Sequence, residues 1–123
     1  MAVNQIMMFH MAVTDMAKSK DFYTKLGFTV VQDYGQGDQH WVSLTAPGGG
    51  ASLNLTTAHE HMKPGTMKLY LSADDVEATH DELEKAGLKV SKVGDDLYGP
   101  GSGAKWFSLS DPDDNKWMVA PAK

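Results

Sequence analysis

Two short segments of the chain carry residue types that bind metal ions in other proteins. Residues 59–61 read His-Glu-His, a pair of imidazoles that could hold an ion at a surface, but the motif lacks the third and fourth ligands of a usual site. Asp111, Asp113 and Asn115 have the spacing of the first three ligands of an EF-hand calcium loop. Lys116, however, occupies the position where that loop needs a glycine for its turn. We interpret the first segment as an exposed loop and the second as a hairpin turn.

The charged residues limit the partners that the chain can bind. The formal net charge is -5, which disfavours nucleic acid, because binding to nucleic acid depends on basic side chains that neutralise phosphates. All 11 basic residues are lysines, so no guanidinium is present to hold a carboxylate or phosphate with two parallel hydrogen bonds. We therefore expect no nucleic acid partner and no highly anionic ligand.

Length and composition predict one domain in a reducing compartment. The 123 residues, 41% of them hydrophobic, are enough to fill one core. The chain has no cysteine, no apolar run long enough to span a membrane and no signal-peptide pattern at its start. We expect a cytoplasmic protein without a membrane partner.

The sequence repeats itself at an offset of 60 residues, which indicates two copies of one structural unit. The matching pairs are Asp15 and Asp75, Asp21 and Asp81, Lys25 and Lys85, Gly27 and Gly87, and Val30 and Val90. In each copy the aspartate at the start favours a helix N-cap and the glycine favours the helix end. The helix should therefore span the same positions in both copies.

Alternating apolar residues and turn residues complete each copy as strand, helix and three strands. The first copy has strands predicted at residues 6–13, 29–34, 41–46 and 52–57, and the second at residues 69–73, 89–93, 104–110 and 116–120. The first helix follows Asp15, and the second follows Asp74 or Asp75. The prediction is an α+β fold with two βαβββ modules, about residues 4–57 and 67–121, joined by residues 58–66 into one domain spanning residues 1–123.

Two strings within these modules resemble the vicinal oxygen chelate superfamily, which includes glyoxalase I, bleomycin resistance proteins and extradiol dioxygenases. Residues 13–28 read V-x-D-x-x-x-S-x-D-F-Y-x-K-L-G-F, and D-P-D-D-N-K-W begins at Asp111. The resemblance implies a glyoxalase-like fold, in which the tandem modules form a curved, cup-like mixed sheet with the helices outside. It also implies a homodimer.

Metal-dependent enzymes of this superfamily hold a divalent ion with His, Glu or Gln side chains at four strand positions. In this sequence the resemblance places Met8, Asn54, Lys68 and Met118 there. Two thioethers, an amide and an ammonium are poor ligands for such an ion. We expect no metal and no cofactor; a shift of two residues along the first strand would bring His10 into the site, but without partners.

The same four positions define which side chains face into the predicted cup, because strand side chains alternate. The predicted ligand-binding residues are Met8, His10, Trp41, Ser43, Asn54, Lys68, Tyr70, Trp106 and Met118, with Ser108 beside them. The opposite parity predicts a core under the helices that contains Met7, Phe9, Met11, Val13, Leu53, Leu55, Leu69, Leu71, Phe107, Leu109, Trp117 and Val119. Aromatic rings and methionines favour a site for a planar or amphipathic molecule.

Three classes of function remain open on the sequence. The favoured one is a metal-independent protein that binds an aromatic or amphipathic compound, as antibiotic-binding resistance proteins do. The alternative is a lyase, isomerase or dioxygenase of the glyoxalase type with an atypical site, in which Lys68 or His10 is the catalytic candidate. The third is a structural or partner-binding protein whose own aromatic side chains fill the cup.

Overall fold

The structure of the chain, a computed structural model, describes residues 2–122 and divides into two compact units between Gly65 and Thr66. This boundary lies within the joining segment that the sequence predicts at residues 58–66. Each unit has one helix and its own sheet, so the architecture is α+β with two βαβββ-like modules. Within residues 2–122 neither helix is long and apolar enough to cross a membrane.

The first unit is a mixed four-stranded sheet with one helix. Its elements are β1 (Met8–Ala12), α1 (Met16–Leu26), β2 (Thr29–Gln36), β3 (Gln39–Thr45) and β4 (Ser52–Thr56). The strand order is β1-β4-β3-β2, and β1 runs parallel to β4 while the other pairs are antiparallel. The three strands predicted after the helix are therefore confirmed, although their ends shift by one or two residues.

Local chemistry sets both ends of α1 where the sequence predicts them. The Asp15 carboxylate accepts a hydrogen bond from the Lys18 backbone N–H at 3.1 Å, which satisfies one of the donors left free at a helix start. Gly27 ends the helix with φ of 113°, a left-handed conformation that glycine adopts without a steric penalty. The helix then covers the apolar face of the sheet, whose buried residues are Met11, Val13, Val42, Leu44, Leu53 and Leu55.

The second unit has a mixed three-stranded sheet with one helix. Its elements are β5 (Lys68–Ala73), α2 (Val76–Lys85), β6 (Phe107–Ser110) and β7 (Lys116–Pro121), and the strand order is β5-β7-β6. Asp75, rather than Asp74, is the N-cap of α2 and accepts from the Ala78 backbone N–H at 3.0 Å. Its buried core contains Val76, Leu83, Phe107, Leu109, Trp117 and Val119.

The strand predicted at residues 89–93 is wrong, because side chains take the hydrogen bonds that a regular ladder would use. The Ser91 backbone N–H donates to the Ser108 carbonyl at 2.9 Å, but the Ser108 N–H donates to the Ser91 hydroxyl rather than to a backbone carbonyl. The Ser91 carbonyl in turn lies 3.0 Å from His80 Nε2 of α2. Only one isolated bridge, between Gly94 and Trp106, follows.

The predicted core is correct for most positions and wrong at its edges. Met7 lies before β1 and is exposed, because the segment before Met8 adds no strand to the sheet. Phe9, Leu69 and Leu71 are half-buried. These residues lie at or next to the edge strands β1 and β5, where fewer neighbouring side chains cover them.

Ser19 in α1 offers a test of this packing. Its hydroxyl is fully buried and has no hydrogen-bond partner among the described residues, and an unsatisfied buried polar group costs about 1–3 kcal/mol. We expect Ser19→Ala to raise the free energy of unfolding by about 1 kcal/mol in urea titrations. The Lys18→Ser and Lys18→Ala pair, at an exposed position of the same helix, measures the helix-propensity contribution alone. Loss of stability in Ser19→Ala would show that the hydroxyl is satisfied.

An ion pair between α1 and β2 gives a test that depends on pH. The Lys20 ammonium and the His40 ring both contact the Asp33 carboxylate, and these hydrogen bonds, that of Lys20 first, lower the pKa of Asp33 below its ordinary value of 3.8. A carboxylate with a lowered folded-state pKa stabilises the protein above its unfolded-state pKa, and this stabilisation is lost as the pH falls through the folded-state pKa.

We therefore expect Asp33→Asn to lower the free energy of unfolding by less than about 1 kcal/mol at pH 7, because the pair is solvent-exposed and screened. The difference from the unchanged protein should shrink as the pH falls below 3.8 and should also shrink in high salt. Asp38→Asn, at an exposed turn, is the matched control. A pH-independent difference would contradict the ionic explanation.

Candidate functional site

Five of the predicted ligand-binding residues lie together in the first unit. Strand pairing places His10 directly opposite Asn54, and Asn54 directly opposite Ser43, so the three side chains form a row across β1, β4 and β3. Met8 and Trp41 lie two residues away from this row on the same face, because side chains alternate along a strand. We call this surface the polar face of the first sheet, since α1 and the buried apolar residues occupy the other side.

Asn54 forms the centre of the polar face. Its side chain is buried, with 4% of the residue surface exposed. The Ser43 hydroxyl donates to Asn54 Oδ1 at 2.8 Å, and Asn54 Nδ2 donates to the Met8 sulfur at 3.1 Å. A thioether is a weak acceptor, so the amide oxygen is well satisfied and the amide nitrogen is not.

Trp41 and His10 form an aromatic pair beside Asn54. Their ring centroids are 5.5 Å apart and their planes are inclined by 77°, an edge-to-face arrangement. Trp41 is 41% exposed, which leaves much of its indole free to contact another molecule. Within residues 2–122, His10 forms no ion pair, so its ring is not locked to a carboxylate.

Tyr34 is a further aromatic residue on the polar face that the sequence did not identify. It lies directly opposite Trp41 on β2 and is 70% exposed. A register shift between Val30 and Gln32 changes which residues of β2 face outward, so alternation counted from Thr29 does not show it. The signal that could have found Tyr34 is its pairing with Trp41 across the tight turn between β2 and β3.

The second unit positions the other predicted site residues on its own sheet. Tyr70 lies opposite Met118, and Met118 lies opposite Ser108, which repeats the row seen in the first sheet. The Lys68 ammonium lies 5.7 Å from the centre of the Tyr70 ring, within the range of a cation-π contact. The Trp106 indole N–H donates to the Asp96 carboxylate at 2.8 Å, so this ring is held by the segment that follows Gly94.

A groove of about 590 Å³ lies beside Tyr70 in the second unit. It is formed where the ends of β5 and β7 meet the loop before β6. Its lining residues are Tyr70, Leu71, Ser72, Leu97, Tyr98, Ala120, Pro121 and Ala122. The groove shares only Tyr70 with the predicted site residues.

The residues at the four metal-ligand positions do not fit a divalent ion. In the first unit Asn54 Oδ1 is engaged by Ser43, and the other position is the thioether of Met8. In the second unit Lys68 contributes a cation, and Met118 contributes a second thioether. Hard divalent ions need oxygen or imidazole ligands, so these side chains supply no such donor set.

The segments that resemble metal motifs have structural partners instead. His59 Nε2 lies 2.9 Å from the Val13 carbonyl oxygen. Asp111 accepts hydrogen bonds from the backbone N–H groups of Asp113 and Asn115, at 2.9 and 2.8 Å, which closes a turn between β6 and β7. The interpretation of residues 111–115 as a hairpin turn is confirmed.

His80, Asp81 and Glu84 on α2 place ligand atoms within 4.8 Å of one another, and they are the one such group found in residues 2–122. The two His80 ring nitrogens lie 3.0 Å from the Asp81 carboxylate and 3.0 Å from the Ser91 carbonyl oxygen. The hydrogen bond to Asp81 raises the pKa of His80, although burial opposes it. His80 therefore anchors the segment that follows α2.

Comparisons with known proteins agree with this architecture. The model of the family described as Glyoxalase/Bleomycin resistance protein/Dioxygenase superfamily matches residues 2–119. TnmS3, an antibiotic binding protein from Streptomyces sp. CB03234, is 29% identical over 100% of this chain and 99% of that chain, with a TM-score of 0.82. A glyoxalase/bleomycin resistance protein from the same Streptomyces strain is 30% identical over 92% of this chain and 96% of that chain, with a TM-score of 0.73.

A bleomycin-binding protein complexed with bleomycin is more distant. It is 18% identical over 98% of this chain and 100% of that chain, with a TM-score of 0.70, a likeness that shows the fold alone. No curated protein sequence matches the chain. The solved structures confirm the predicted glyoxalase-like fold.

Gly94 provides a test of how Trp106 is held. A Cβ atom added at Gly94 would lie 2.6 Å from Trp106 Nε1 and 2.9 Å from Cε2, so Gly94→Ala must displace the indole from Asp96. We expect a loss of about 1–3 kcal/mol in unfolding free energy and a shift of the Trp106 indole N–H signal in NMR spectra. Gly48→Ala is the matched control, because nothing lies within 4 Å of its added Cβ. An unmoved indole signal in Gly94→Ala would contradict this contact.

Proposed function

Because the chain belongs to the glyoxalase/bleomycin resistance protein/dioxygenase superfamily, we propose that it is a metal-independent protein that binds a planar or amphipathic small molecule. An antibiotic or another foreign compound is the proposed class of ligand. The observation that carries the proposal is the polar face of the first sheet, where a partly exposed Trp41 lies beside His10 and the buried Asn54 amide. TnmS3, described as an antibiotic binding protein, supports it at 29% identity.

The polar face suits recognition by stacking and hydrogen bonding. Trp41 offers an indole surface, Tyr34 extends the aromatic surface along the neighbouring strand, and Met8 supplies an adaptable thioether. By strand alternation and register, no Lys, Asp or Glu of β1 to β4 shares this face. Such a surface favours an uncharged ligand.

Binding is favoured over catalysis because the catalytic candidates lack the partners that acid-base chemistry uses. A catalytic histidine is normally oriented by a second polar group, but the ring contact of His10 is the edge-to-face one with Trp41. Lys68 is exposed and contacts the Tyr70 ring, whereas a Schiff-base lysine is activated in a desolvated pocket or beside another cation.

The homodimer and the cytoplasmic location remain predictions of the sequence.

The decisive variant is Trp41→Ala. With 9-fluorenone as a planar, uncharged probe, isothermal titration calorimetry should show a dissociation constant about 30-fold higher than that of the unchanged protein, since a central aromatic contact is worth about 2 kcal/mol. Trp41→Phe keeps a ring and should weaken binding less than about fivefold.

Trp106→Phe, in the second unit, tests whether that predicted residue contributes to binding. Circular dichroism should show that each variant is folded. Equal affinity in Trp41→Ala and the unchanged protein would show that the ligand binds elsewhere. If none of the planar probes binds, the proposed function is contradicted.

A further inference from the structure

The Asn54 amide nitrogen is a strong donor that the protein leaves poorly satisfied. Only 4% of the Asn54 residue surface is exposed, and the one acceptor for its amide nitrogen among the described residues is the Met8 sulfur at 3.1 Å. The amide has two N–H groups, and a thioether is a weak acceptor for either of them. A buried donor in this state gains free energy when an oxygen acceptor reaches it.

The Met8 side chain can move away from Asn54. Met8 is the first residue of the edge strand β1, and it is 40% exposed, whereas Asn54 is buried. Methionine has three rotatable side-chain bonds and no branch, so its sulfur can move without disturbing the strand. A ligand oxygen can therefore replace the sulfur as the acceptor for Asn54 Nδ2.

The aromatic surface lies at the right distance for one rigid molecule to use both features. Trp41 lies two residues from Ser43 along β3, and Ser43 is the direct neighbour of Asn54 on β4. Two residues along a strand span about 6.6 Å, which matches the width of two or three fused rings. Strand register places Met8 on the opposite side of Asn54 from Trp41, so a flat ligand resting on Trp41 directs its polar atom across the row to Asn54.

The chemistry of the polar face selects the kind of polar atom. A ligand hydroxyl or N–H group brings a hydrogen that needs an acceptor of its own, and Asn54 Oδ1 already accepts from Ser43 at 2.8 Å. A carboxylate or phosphate would be partly buried without a cation on the same face, which is unfavourable. An uncharged carbonyl oxygen has neither disadvantage.

Resting on the proposed function, we infer that Asn54 is the specificity-determining residue of the polar face and that it recognises a carbonyl oxygen on an uncharged planar ligand. The ligand oxygen displaces the Met8 sulfur from Asn54 Nδ2. The ligand class is thus polycyclic or bicyclic ketones, lactams and related flat carbonyl compounds.

The test compares 9-fluorenone with fluorene, two planar molecules of the same size that differ in one carbonyl oxygen. We expect the unchanged protein to bind fluorenone about tenfold more tightly, the range of one added hydrogen bond. Asn54→Leu removes the donor and should bind both molecules equally. Met8→Leu removes only the sulfur and should keep or increase the preference for fluorenone, whereas Trp41→Ala should weaken both molecules alike.

A second readout does not depend on the variants being stable. The side-chain amide proton signals of Asn54 in the unchanged protein should move downfield when fluorenone binds, because a carbonyl acceptor deshields the N–H protons, and fluorene, which has no acceptor, should cause no such downfield shift. Equal affinities for the two molecules, or a fluorenone preference that survives in Asn54→Leu, would overturn the inference while leaving the proposed function in place. If neither molecule binds, both the inference and the proposed function fail.

Discussion

The parallel pairing of β1 with β4 determines which side chains of the first unit are core and which are available for binding. It places Met11 beside Leu55 on the side of α1 and His10 beside Asn54 on the other side. A shift of one residue would exchange the two sets, because side chains alternate along a strand. The buried apolar residues under α1 make that exchange costly, so the same burial that stabilises the unit also fixes the composition of the polar face.

The two sheets repeat one arrangement with different chemistry. His10, Asn54 and Ser43 form the row in the first sheet, and Tyr70, Met118 and Ser108 form it in the second. The third position of the row is a serine in both sheets, while the second position is an amide in the first sheet and a thioether in the second. Backbone hydrogen bonds hold both rows in place, so the side chains at the first two places can change without loss of the sheet.

Much of this fold follows from the sequence because its signals are local. Asp15 and Asp75 cap helices through hydrogen bonds that span three residues, and Gly27 ends α1 through its own backbone conformation. The shared face of the five predicted residues of the first unit follows from alternation counted from the positions that the resemblance assigns, since β1, β3 and β4 are regular across the row. Whether they bind a ligand is a separate matter, because alternation identifies a face and says nothing about its occupant.

The features that the sequence did not predict depend on contacts between distant residues. Ser91 has strand-like neighbours, but its carbonyl oxygen contacts His80 and its hydroxyl accepts the hydrogen bond from the Ser108 backbone N–H. The segment therefore runs beside β6 without a regular ladder. Tyr34 faces outward because the pairing of β2 with β3 shifts its register between Val30 and Gln32, and no residue type in this segment predicts such a shift. Both departures involve polar or exposed groups, for which several hydrogen-bonding arrangements have similar free energies. The buried apolar positions allow fewer arrangements, and it is there that the sequence predicts the structure best.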